Sequence, residues 1–232
     1  MSDHKKIFES ELLGTPTEVM QQFLVHFNAE THKFVEEIAK AAGMWEQFGA
    51  AAKKREQVQE ELMISNAYFL NAINSALVST RLLLSGYIVP AGNQARCAVE
   101  SMAFGVLLAF PATNTYRDWK EDHDIEHRAL HRLTRNAEHC GVDKKNVEVL
   151  KEQIKCYDKY SHPSKVALKS IWLSPCQQHP GGAWNIGAVF VQSDLEEYRQ
   201  EMENRLRLAQ LIAHTIAGAY VTLGLSNGEG QS

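Results

Sequence analysis

The sequence predicts a mainly α-helical protein, an antiparallel helical bundle with a small β-hairpin inserted before the last helix. Three observations predict it. Apolar residues recur at three-to-four spacing over most of the chain, proline and glycine interrupt that pattern, and one late stretch is rich in β-branched and aromatic residues. The composition, with 44% hydrophobic and 22% charged residues in 232, excludes collagen-like, disordered and disulfide-rich classes.

In the first half of the chain, glycine and proline set the bounds of the predicted helices. The first helix ends at Gly43, and an exposed helical segment follows a turn within residues 44–62. A second helical stripe of apolar residues ends at Gly86, and Pro90 with Gly92 predicts a turn before the next helix. The predicted segments are residues 17–43, 44–62, 65–86 and 93–110.

In the second half, caps are the main signals. Gly141 is predicted to end a helix, Asp143 to cap the next one, and Ser193 to open a capping box for the last. Residues 166–173 and 186–192 flank a Pro/Gly-rich loop and predict the hairpin strands. The predicted helices are residues 117–139, 143–162 and 193–223.

The chain is predicted to form a single helical domain over residues 1–225, because no linker separates two domains. Within it, residues 1–62 are an N-terminal helical extension and residues 65–225 the bundle. Residues 226–232 are predicted to be a flexible tail.

The sequence predicts a cytoplasmic protein without a membrane segment, because it shows neither a secretion signal nor a membrane-spanning run. No apolar run follows the first residues, and the four cysteines form no C-x-x-C pair. The longest apolar runs are too short or too polar to span a bilayer. The net charge of −4 argues against a protein that coats nucleic acid, although a local basic patch is compatible with that average.

Arg96 and Glu100 stand one turn apart on the same predicted helix, at the edge of its buried stripe. Ionised groups in such a place need partners, and each supplies part of the other's requirement. Arg205, within the apolar stripe of the last helix, is predicted as a further partner for Glu100. The pair is either a functional polar site or a structural ion pair between helices.

Residues 157–163, Tyr-Asp-Lys-Tyr-Ser-His-Pro, close a predicted helix. His162 precedes Pro163 and is therefore biased toward extended backbone, which directs the imidazole away from the helix. Histidine titrates near neutrality and suits acid–base chemistry, and Tyr160 and Ser161 add hydroxyl groups. The alternative is that His162 caps the helix end.

Arg96-x-x-x-Glu100 followed by Tyr157-x-x-Tyr160-Ser161-His162-Pro163 resembles the HEPN superfamily, and most of all a group of uncharacterised bacterial HEPN-like proteins. The resemblance covers residues 65–225. It implies an antiparallel helical bundle, a homodimer and, as in the nuclease branches, RNA cleavage without a metal or other cofactor. It also implies a toxin or phage-defence role with an antitoxin or defence partner.

The resemblance implies a site made of an acid–base residue, a cation, the residue that orients the cation, and two hydroxyl groups. In that order these are His162, Arg96 or Lys159, Glu100, and Tyr160 with Ser161. The nuclease branches carry an arginine shortly before the histidine, at positions where this chain has Lys155, Cys156 and Tyr157.

Lys151 and Lys155 align on one helix face that runs toward His162, a pattern that can steer a phosphate backbone and bind the substrate. Glu148 and Glu152 share that face at salt-bridge spacing. A solvated face with ion pairs is therefore the alternative to a substrate-binding stripe.

His123, His127 and His131 recur at one-turn spacing, and two such imidazoles can chelate a transition metal. His123 and His127 are the candidate pair. The apolar stripe of that helix faces away from these histidines, so a solvated face is the alternative. Cys176-x-x-His179 is half of a zinc motif without a second half.

Three function classes follow. The first is a HEPN-like, metal-independent ribonuclease or defence component with a His-centred polar site. The second is a non-catalytic dimerisation or ligand-binding module whose Arg/Glu/His cluster is structural. The third is a metal-binding helical bundle.

Overall fold

The computed structural model describes residues 13–55, 60–121, 128–161, 172–173, 183–184 and 187–225. These residues form a helical bundle, as predicted. Its seven α-helices are α1 (Thr17–Lys53), α2 (Glu60–Leu84), α3 (Ile88–Ala109), α4 (Thr115–Glu121), α5 (Ala129–Asn136), α6 (Lys144–Ser161) and α7 (Leu195–Thr222). Short 3-10 turns occupy Pro111–Thr113 and Gln192–Asp194. The predicted tail, residues 226–232, lies outside the described residues.

The β-hairpin predicted before the last helix is wrong. Residues 187–191, in the predicted second strand, lie outside any strand and lead into a 3-10 turn. In the described part of this region, β1 (Trp172–Leu173) and β2 (Ala183–Trp184) share only a two-residue antiparallel pairing. Phe190 packs its ring against Phe23 and Tyr198, at centroid distances of 5.1 and 5.6 Å. Phe190 of this stretch therefore serves core packing rather than strand pairing.

Helix α1 is longer than predicted, because it continues past Gly43 to Lys53. Most residues after Gly43 are good helix formers, and the two glycines inside this helix, Gly43 and Gly49, each cost only about 1 kcal/mol. A single helix therefore replaces the predicted helix and turn. Phe48 and Ala52, in the segment predicted to be exposed, are buried, and residues 60–62 of that segment belong to α2. It bends at Phe27, whose φ and ψ of −128° and 23° lie outside the helical region.

Helix α3 is the central helix and packs on α2, α5, α6 and α7. It begins at Ile88, earlier than predicted, and Pro90 stands in its first turn, where a backbone N–H has no intrahelical partner. Gly92 lies in the helix interior rather than in a turn. The ring of Tyr160 occupies the space beside it, since a Cβ at position 92 would lie 2.2 Å from Tyr160 Cδ2.

The helix predicted over residues 117–139 is described as two helices, α4 and α5, and residues 122–127 between them lie outside the described residues. Gly141 has the left-handed φ of +63° that suits a helix cap, but α5 already ends at Asn136, and residues 137–141 form turns after it. The Lys145 backbone N–H donates to Asp143 Oδ1 at 2.8 Å, which confirms Asp143 as the cap of α6. The predicted Ser193 cap is wrong, because the residue before α7 is Asp194 and Ser193 Oγ bonds to the Asp194 carboxylate.

Helix α1 packs along α7 and also contacts α2. Phe34, Ile38 and Phe48 of α1 belong to the main hydrophobic core, together with α2, α3 and α7. The N-terminal helix is therefore an integral layer of the bundle. Of the helices in the described ranges, none is long and apolar enough to cross a membrane.

Candidate functional site

The structure brings Arg96 and Glu100 of α3 together with Asp158 of α6, a cluster we call the α3–α6 junction. Arg96 Nε donates to Glu100 Oε1 at 2.8 Å, and Arg96 Nη1 lies 2.9 Å from Asp158 Oδ1. The three side chains are 29% to 44% exposed, so solvent reaches the cluster. The hydrogen bond to Glu100, aided by the charge of Asp158, raises the pKa of Arg96. The junction is thus a permanently charged, partly exposed arginine held by two carboxylates.

Sequence reasoning missed Asp158, although it lies within the run that ends at His162. Arg96 had one predicted carboxylate partner on its own helix, and a guanidinium carries donors for two. A carboxylate on the other candidate element was the signal that could have found Asp158. The ion pair between them is what joins the two sequence motifs in space.

Lys159 and Tyr160 attach the end of α6 to α7, on the side of α6 away from Arg96. Tyr160 is buried, and its hydroxyl donates to Glu201 Oε1 at 2.8 Å. Lys159 Nζ donates to the same oxygen at 3.2 Å and lies 4.8 Å from the centroid of the Tyr160 ring. Burial raises the pKa of Tyr160 far above its ordinary value, and the Glu201 charge adds to this. Tyr160 therefore stays a neutral donor.

Arg205 does not take the predicted role of a partner for Glu100. It is 1% exposed, and its Nη1 donates to Glu201 Oε2 at 2.5 Å, one turn earlier on its own helix. Its Nε donates to Ser79 Oγ of α2 at 2.9 Å. Burial would raise the pKa of Glu201, but the charges of Arg205 and Lys159 outweigh it and the pKa is lowered. Glu201 is thus a buried carboxylate that stays ionised.

The two candidate substrate-binding lysines form ion pairs on the surface of α6. Lys151 Nζ lies 2.6 Å from Glu148 Oε1, and Lys155 Nζ lies 2.8 Å from Glu152 Oε1. The observed arrangement is a solvated face with ion pairs, which the sequence indicated as the alternative to a substrate-binding stripe. Exposed pairs of this kind contribute little to stability and open readily.

Several predicted groups lie outside the described residues: His162, the Ser161 side chain, His123, His127, Cys176 and His179. His131 is described, and its Nε2 lies 3.5 Å from Arg135 Nη2. Within the ranges that the structure covers, no group of three His, Cys, Asp or Glu side chains could hold a metal ion.

A separate cleft of about 590 Å³ lies between α1 and α7. Gly43, Met44, Gln47, Gln210 and His214 are among its lining residues. None of the predicted site residues that the structure describes lines this cleft, which is therefore separate from the α3–α6 junction.

Comparison with family models, with curated proteins and with solved structures found no match for the chain. The function is therefore inferred from the residues and geometry of the α3–α6 junction and its surroundings.

Proposed function

We propose that this chain is a HEPN-like helical protein that cleaves RNA without a metal ion at the α3–α6 junction. The observation that supports it best is the 2.9 Å ion pair between Arg96 and Asp158. It places Arg96, from the first motif, against the helix end that leads in sequence to Ser161 and His162 of the second. This contact links the helix of the first motif to the helix that carries most of the second.

The chemistry needs a group that takes a proton from the RNA 2′-hydroxyl and a cation that stabilises charge on the phosphate. The 2′-oxygen forms a bond to phosphorus, and the bond to the 5′-oxygen breaks as that oxygen gains a proton. His162 is the proton carrier in this proposal. Arg96 is the cation, because a guanidinium binds two phosphate oxygens at once, and Glu100 orients it through Nε.

Asp158 competes with phosphate for the terminal nitrogens of Arg96. The carboxylate is 44% exposed, and an ion pair of this kind contributes only about 0–1 kcal/mol. We expect Asp158→Asn to bind a non-cleavable 2′-O-methyl RNA about two- to fivefold more tightly than wild type, as measured by fluorescence anisotropy.

Asp118→Asn is the matched control for this measurement. It removes the same charge from a surface ion pair with Arg132, at 2.7 Å, outside the α3–α6 junction. If Asp158→Asn binds RNA no more tightly than Asp118→Asn, Arg96 is not the phosphate ligand.

Cleavage itself is tested by incubating the protein with total RNA in EDTA. Wild type is expected to cleave, and His162→Ala is expected to lose cleavage with little change in melting temperature. His214→Ala, which alters an exposed histidine of α7, is expected to cleave like wild type. Equal cleavage by His162→Ala, or none by wild type, contradicts the proposal.

A non-catalytic module is the second candidate, and the pairing of the described charges favours it. Arg96 contacts two carboxylates, and Lys151 and Lys155 each contact one. In this case the junction only fastens α3 to α6. Asp158→Asn would then lower the unfolding free energy and leave RNA binding unchanged.

Three further expectations depend on the resemblance of the motifs to the HEPN superfamily. They are a second copy of the chain as partner, an antitoxin or defence partner, and a cytoplasmic location. Sedimentation of the purified protein tests the homodimer directly.

A further inference from the structure

Glu201 of α7 is a buried carboxylate bound by three donors. Its side chain is 5% exposed, yet it accepts hydrogen bonds from Lys159, Tyr160 and Arg205, at 3.2, 2.8 and 2.5 Å. An ionised carboxylate in such a place needs this number of partners to offset its lost hydration. Two of the three donors are the last residues of α6 before Ser161 and His162.

Arg205 anchors this carboxylate to the rest of the bundle. Besides Glu201, it bonds to Ser79 of α2, and its guanidinium lies 5.0 Å from the centroid of the Tyr157 ring. Ser79 Oγ in turn donates to the Ala91 carbonyl of α3 at 2.7 Å. Through Arg205, Glu201 is therefore linked to α2 and, by way of Ser79, to α3.

Tyr160 has little freedom to move against this frame. Its ring packs on Gly92 of α3, where no Cβ intervenes, and its hydroxyl bonds to Glu201. On the other side of α6, Asp158 bonds to Arg96. The end of α6 is thus held from α7 and from α3 together.

We infer that Glu201 is the positioning residue of the site: through Lys159 and Tyr160 it sets where the end of α6 stands relative to Arg96. This inference rests on the proposed function for its catalytic consequence. Glu201 does not touch the reacting atoms in this scheme. It holds the end of α6 at a fixed position relative to Arg96. This matters for the rate, because small displacements of reacting groups slow a reaction by large factors.

The test is the double variant Glu201→Leu/Arg205→Met. A buried ion pair can often be replaced by apolar side chains without loss of stability, so we expect the variant to fold. The matched control is Glu203→Leu/Arg207→Met, which alters an exposed Glu/Arg pair with the same spacing on the same helix.

Hydrogen–deuterium exchange at the amides of residues 157–161 is the first readout. We expect faster exchange in the double variant under conditions where it is fully folded, and wild-type exchange in the control. If the double variant does not fold, Tyr160→Phe removes one link to Glu201 and is expected to raise exchange at the same amides. Unchanged exchange in whichever variant folds overturns the inference.

Steady-state RNA cleavage is the second readout. We expect kcat to fall about 10- to 100-fold with KM unchanged, because positioning affects the reaction rather than RNA binding. A merely structural role would lower the folded fraction and leave kcat per folded molecule unchanged, which contradicts the inference. If wild type does not cleave RNA, the proposed function fails, and exchange alone still decides whether Glu201 holds the helix end.

Discussion

Substitution of Gly92 by alanine is expected to destabilise the protein, although alanine is the better helix former. A Cβ at this position would lie 2.2 and 2.3 Å from two ring carbons of Tyr160. The Tyr160 ring must then move, and its hydroxyl can no longer reach Glu201, now at 2.8 Å.

The size of the effect follows from three contributions. Overpacking costs about 1–3 kcal/mol, the lost bond to a charged acceptor about 1.5–3 kcal/mol, and alanine returns about 1 kcal/mol of helix propensity. The net loss of unfolding free energy is therefore about 1.5–5 kcal/mol. For a chain of this length, each kcal/mol corresponds to about 2–4 °C in melting temperature.

Urea unfolding followed by circular dichroism measures this loss, and Gly43→Ala is the control. Gly43 also lies inside a helix, but a Cβ there would have nothing within 4 Å. We expect Gly43→Ala to be neutral or to stabilise by up to about 1 kcal/mol. Equal stability of the two variants would refute the packing of Tyr160 on α3.

Three further predictions concern single groups. Asp143→Ala removes the cap bond to Lys145 and is expected to cost about 1 kcal/mol in urea unfolding; an unchanged midpoint would mean that the cap contributes nothing. Arg205→Met leaves Glu201 buried without its main counter-charge, so we expect a loss of about 3–5 kcal/mol, and a loss below about 1 kcal/mol would contradict the buried pair. Burial alone would raise the pKa of Glu201, but the charges of Arg205 and Lys159 lower this pKa below the ordinary 4.5. Its contribution to stability is therefore present above pH 4.5 and is lost as the pH falls through the folded-state pKa. The difference in unfolding free energy between wild type and Glu201→Gln should shrink on acidification, and a growing difference would speak against the ion pair.

The helices were predictable where the signal is local. Apolar stripes and the Asp143 cap depend on residues within one or two turns, and the structure confirms them. Gly43 and Gly92 misled the prediction because a glycine stops a helix only when the fold requires it. At Gly92 the requirement is the opposite, since the helix continues and Tyr160, from a distant part of the sequence, fills the space.

The candidate site divides in the same way. Arg96 and Glu100 form a one-turn pair on a single helix, so the sequence alone reveals it. Asp158 joins them only because α6 packs on α3, which no local pattern indicates. Glu201 was missed although it stands one turn before Arg205, and the one-turn rule that found Glu100 would also have found it.

The most direct test of the proposed site is the rate of RNA cleavage in EDTA by Arg96→Ala, expressed per folded molecule. Arg207→Ala, which alters an exposed arginine of α7, is the control. We expect a loss of about 100-fold or more for Arg96→Ala, since the cation acts on charge that develops in the transition state, and a wild-type rate for the control. Cleavage by Arg96→Ala at the wild-type rate would contradict the assignment of the α3–α6 junction as the site.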